Sequence, residues 1–89
     1  MAEAELAEAV TWYAAQAPAL ATRFLDAIDA AFDRIRAHPD AYPLVTPTLR
    51  RLLVPRFPYA VYFRVFPSVI SVVGIIHGRR HPRRWLRRG

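Results

Sequence analysis

The chain has 89 residues, a formal net charge of +6, 54% hydrophobic residues and no cysteine. That length predicts a single domain with a modest core, the apolar content excludes a disordered tail, and the missing cysteines exclude disulfides and thiolate chemistry. The longest apolar run, residues 69–76, is far short of the roughly 20 residues that span a bilayer, and the acidic start AEAELAEAV lacks the basic-then-apolar order of a secretion signal, so a cytoplasmic protein without membrane contact is expected.

Residues 2–16 read as a helix. Leu6, Ala9, Val10, Tyr13, Ala14 and Ala17 recur at helical spacing, and Glu3, Glu5 and Glu8 lie near the N-terminus, where negative charge suits the helix dipole. Pro18 interrupts this stripe and fits the first turn of a second helix. That helix is expected over 18–37, with Leu20, Phe24, Ile28, Ala31, Phe32 and Ile35 inward, Leu25 widening the apolar face, and Pro39 as its stop. A short link between two such helices predicts an antiparallel hairpin. Residues 38–48, HPDAYPLVTPT, carry three prolines and no period, which predicts a loop.

Strands follow at about 49–54, 57–66 and 69–77. Short connections make them an antiparallel meander. The third is apolar on nearly every residue, which suggests burial on both faces or a central position. Residues 78–89 form a basic tail. Strands segregated from helices predict an α+β fold, with the helical hairpin packed on one face of a three-stranded antiparallel sheet.

Charge is segregated along the chain. All seven acids lie in the first 40 residues beside three arginines, a net of −4, whereas the remaining 49 residues hold ten arginines and no acid, a net of +10. All 13 cationic residues are arginine. A basic end of this kind attracts phosphates or an acidic protein, and arginine favours planar bidentate contacts with both.

Several groups of residues, in this order, resemble the ParE/RelE superfamily of bacterial toxins: Ala4-Glu5-Leu6 with Trp12-Tyr13, then Phe24 and Ile28, then Pro39 with Tyr42-Pro43, then Arg56-Phe57-Pro58-Tyr59 leading to Tyr62, and a closing His77-Gly78-Arg79-Arg80-His81-Pro82 followed by Trp85. The resemblance covers nearly the whole chain. It implies the toxin of a type II toxin–antitoxin system, neutralised by a cognate antitoxin whose C-terminal segment wraps it. ParE-like members bind DNA gyrase; RelE-like members cleave messenger RNA on the ribosome. Toxins of this family usually open with a β-strand, whereas this sequence starts inside the first helix, so either the true start lies further upstream or the strand is missing. Without it, strand 69–77 would present an open edge suited to self-association or strand addition.

The resemblance assigns target binding to Arg79, Arg80, Arg83, Arg84 and Trp85, an aromatic among arginines being a contact-surface pattern. An acidic antitoxin is expected along the helical-hairpin groove and the sheet edge, meeting Trp12, Arg50, Arg51, Arg56 and Arg64. A homodimer or a hetero-oligomer with the antitoxin is compatible with this. The competing reading is a ribonuclease, in which His77 or His81 acts as acid or base while Arg56, Arg64, Arg79 and Arg80 hold the phosphate. RelE-like nucleases usually carry Lys or Arg on the middle strands and a Tyr or His near the C-terminus; this chain has no Lys and no Tyr after Tyr62. Binding is therefore preferred to catalysis. A general nucleic-acid module, with steep salt dependence, and an inactive relic are further readings. His77 and His81 have a metal-compatible spacing, but no carboxylate or cysteine in the second half completes a site, so neither a metal nor a cofactor is expected.

Overall fold

A computed structural model describes residues 2–78. The order is α1 (Ala2–Gln16), α2 (Pro18–Ala37), a 3₁₀ turn (Pro39–Ala41), β1 (Arg50–Leu53), β2 (Tyr59–Val65) and β3 (Ile70–His77). The helices keep their expected bounds, and the strands lie inside theirs. The corner between the helices is set by Pro18: it drives Ala17 to extended backbone and takes the first helical position of α2. The amide of Ala17 still closes the last turn of α1 on the Tyr13 carbonyl at 2.9 Å.

The sheet is antiparallel in the order β1-β2-β3. Its inner face carries Leu52, Val61, Phe63 and Ile75 against Ala9, Tyr13, Phe24, Ile28 and Ile35 of the helical hairpin. Phe24 is fully buried and packs its ring on Tyr13, Phe57 and Tyr59 at centroid distances of 5.0–5.2 Å. The outer face carries a smaller cluster of Leu49, Ala60, Tyr62 and Ile76, roofed by Val45 from the loop. Leu25 does not widen the buried face as the sequence suggested; it is exposed, because the inward positions around it on α2 are taken by Phe24 and Ile28.

β3 is not central. It is buried on both sides only over Gly74–Ile76, because each face has its own cluster there. Opposite Tyr62 and Phe63 the ladder slips, leaving Val73 as an extra residue between Gly74 and Val72, a bulge that turns Val73 to the outer cluster.

The two sheet edges are handled differently. Beside β1, residues 43–46 fold back: the Arg51 amide donates to the Pro43 carbonyl at 3.1 Å, and the Val45 amide to the Leu49 carbonyl at 2.7 Å. Beside β3, the described residues supply no strand. Instead Glu5 of α1 reaches the edge, and its Oε1 accepts the Ile75 amide at 3.0 Å. This carboxylate occupies the place of a neighbouring strand's carbonyl.

Candidate functional site

Side-chain alternation along the strands separates the arginines predicted to act together. Arg51 lies across from Tyr62 on the outer face, and Arg64 across from Ser71 on the same face. As diagonal cross-strand neighbours, Arg51 and Arg64 have Cα atoms about 7–8 Å apart. Arg64 Nε donates to Thr48 Oγ1 at 3.4 Å, which draws its guanidinium toward the loop. Arg51 Nε is buried with no hydrogen-bond partner among the described residues. Leu53, on the same face, is 67% exposed. Two cations flanked by exposed apolar surface suit a macromolecular partner that brings carboxylates or phosphates.

Arg50 is turned the other way and is used internally. Its Nη1 donates to the carbonyls of Tyr42 at 2.6 Å and Asp40 at 3.3 Å, and its Nη2 lies 3.7 Å from the Asp40 carboxylate. It fastens the proline-rich loop to β1 and is not available to a partner in this arrangement.

Arg56 sits apart from both, in the turn between β1 and β2, with φ at 69°. A residue with positive φ directly after a proline fits a type II turn, where glycine is the usual occupant. Arg56 faces α2, where it shares an open groove with Arg23 and Arg34.

Trp12 is 58% exposed, edge-on to Tyr13 at 5.1 Å. With Glu5, Glu8, Tyr59 and Ile75 it lines a shallow groove of about 220 Å³ along the β3 edge. That edge is acidic, so it is ill-suited to the carboxylates of an acidic antitoxin. Tyr13 itself is buried, and burial together with the neighbouring Tyr59 phenol holds its hydroxyl above the ordinary tyrosine range.

His77 ends β3 across from Tyr59, with ring centroids 5.1 Å apart, on the helix side of the sheet. Arg64 is on the outer face, five residues along β2 from Tyr59, or about 17 Å at strand rise. The structure therefore does not bring His77 and Arg64 together, whereas Arg56 and His77 lie at the same end of the sheet. Arg79, Arg80, His81, Arg83, Arg84 and Trp85 lie outside the described residues. Among the described residues, no group of three His, Cys, Asp or Glu side chains could hold a metal ion, and no helix is long and apolar enough to cross a membrane.

A family model described as the ParE toxin of type II toxin-antitoxin systems, parDE, matches residues 1–82. The chain belongs to this family. No match is found among curated proteins.

For a ParE-family toxin, the outer-face pair Arg51 and Arg64 is the part of the anticipated contact set that the fold assembles. Sequence reasoning missed Arg23, Arg34 and Glu5. The helical interval from Arg23 through Ala27 and Ala30 to Arg34 was visible as a second stripe on α2. Nothing local marked Glu5 as the partner of a backbone amide 70 residues away.

Proposed function

We propose that this toxin is neutralised by an acidic antitoxin at the outer sheet face and inhibits growth by binding DNA gyrase, without cleaving RNA. The family match supports the toxin role and pairing with an antitoxin. Two observations favour binding over cleavage: the chain lacks the lysine and the late tyrosine that RelE-like nucleases usually carry, and His77 and Arg64, one of the candidate phosphate-holding arginines, lie on opposite faces of the sheet. Antitoxin carboxylates meet Arg51 and Arg64, and an apolar side chain covers Leu53.

The test is induction of the toxin in cells, with plasmid supercoiling and RNA 3′ ends followed together. Loss of gyrase supercoiling without new 3′ ends is the expected result. Codon-positioned cleavage abolished by His77→Ala or Arg80→Ala would establish the ribosome-dependent nuclease instead. For the antitoxin arm, Arg51→Glu/Arg64→Glu is expected to lose co-purification with the cognate antitoxin while Arg36→Glu retains it.

A further inference from the structure

Three arginines that approach one groove carry an inference independent of the outer face. The groove runs between α2 and the β1–β2 turn and has a volume of about 600 Å³. Arg23 and Arg34 stand on α2 and Arg56 on the turn. Eleven residues separate the first two, which is about 16 Å along a helix. Among the described residues, none of the three side chains makes an ion pair or a hydrogen bond. Among the described residues, the only acid of the lining is Asp26, whose side chain is likewise unpaired. Between the arginines the floor is made by Ala27 and Ala30, with Leu20 and Phe57 adding apolar surface.

We propose that this groove docks an acidic amphipathic helix lying along α2. The chemistry of the lining selects that occupant. Three guanidiniums against one carboxylate leave an excess of positive charge, and their spacing matches carboxylates three helical turns apart. Alanines at the centre allow a helix to approach closely, as helix-in-groove recognition requires. An apolar stripe on the incoming helix covers Leu20 and Phe57. Arg56 supports the assignment independently. It holds a backbone conformation that glycine would adopt without strain, and strain of that kind collects at binding sites.

The probe is a synthetic helix of about 18 residues, long enough to be helical, with an Ala/Leu stripe and glutamates placed to face Arg23, Arg34 and Arg56. Binding to the full-length chain is measured by fluorescence anisotropy. The double variant Arg23→Glu/Arg34→Glu is expected to weaken binding by at least about tenfold. A probe whose facing glutamates are changed to lysine is expected to bind the double variant better than it binds the native chain. Where charge reversal lowers the thermal midpoint, Arg23→Gln/Arg34→Gln takes its place. A scrambled probe of the same composition serves as control. Equal affinity for the scrambled probe, or an unchanged affinity in the double variant, overturns the proposal. Displacement of the probe by duplex DNA whose own binding needs Arg23 and Arg34 also overturns it, in favour of a phosphate-bearing partner.

Discussion

Replacing Glu5 by alanine tests the reading of the β3 edge. The substitution removes one hydrogen bond from a carboxylate to the Ile75 amide, made at 3.0 Å in a half-buried setting. Hydrogen bonds to charged groups contribute about 1.5–3 kcal/mol, and partial exposure places this one near the lower end. Glu5 also lies in the first turn of α1, where a negative charge adds about 0.3–1 kcal/mol. The expected loss is about 1.8–2.5 kcal/mol, a fall in thermal midpoint of roughly 7–20 °C for a chain of this size. Glu5→Gln keeps an acceptor oxygen and loses the charge, so it should fall between native and alanine. The local readout is amide hydrogen exchange at Ile75, which should speed up about tenfold or more in the alanine variant, since 1.4 kcal/mol is tenfold. Gly74→Ala should act in the same direction, because an added Cβ would stand 3.3 Å from Glu5 Oε1. Exchange at Ile75 that is unchanged in Glu5→Ala would refute the argument, even if the midpoint fell, because the loss would then come from the helix terminus alone.

Arg50→Ala should cost about 1–2 kcal/mol in chemical denaturation by leaving the Tyr42 and Asp40 carbonyls without their donor; Arg50→Lys recovers part of this, since an ammonium cannot reproduce the guanidinium fork, and an unaltered alanine variant contradicts the clamp. Arg56→Gly should stabilise by about 0.5–1 kcal/mol, the left-handed penalty of about 1–2 kcal/mol less the entropy that glycine adds to the unfolded chain; a lower midpoint contradicts it. Because the folded state raises the pKa of Tyr13 above its ordinary 10.0, it favours the neutral phenol. That contribution is complete below pH 10 and is lost as pH rises through the folded value. The thermal midpoint should therefore fall less steeply above pH 10 in Tyr13→Phe than in the native chain, and parallel curves contradict the assignment.

The helices were legible because each is governed by local rules. Tyr13, Phe24, Ile28 and Ile35 repeat at helical spacing, and Pro18 and Pro39 leave little freedom at the boundaries. The strands were legible from Tyr59 to Val65, where alternation survives. Less readable was β3, since burial of both faces over Gly74–Ile76 erases the period that separates an edge strand from a central one. The site was harder still. Arg50 and Arg51 are adjacent in sequence, yet the pleat sends one to the loop carbonyls and the other to the outer face. Chain-level charge could not predict that division, because it is decided by register against β2. Nor could it predict that Arg56 would join two arginines from the acidic segment in one groove.

Folding thus rearranges a simple linear charge split into a patterned surface. The arginines separate into an internal clamp at Arg50, an outer pair at Arg51 and Arg64, and a groove set at Arg23, Arg34 and Arg56. The acids do not all oppose them; Glu5 and Glu8 gather instead beside the exposed β3 edge. This placement has a physical consequence for partner choice. A strand that pairs with β3 must displace Glu5 from the Ile75 amide and leave its carboxylate beside the new backbone. An acidic strand would add like-charge repulsion to that cost, whereas a basic one would relieve it. The edge and the arginine surfaces therefore select partners of opposite sign. An acidic ligand is directed to the outer face or the α2 groove, and the strand edge is kept from the same ligand by one carboxylate.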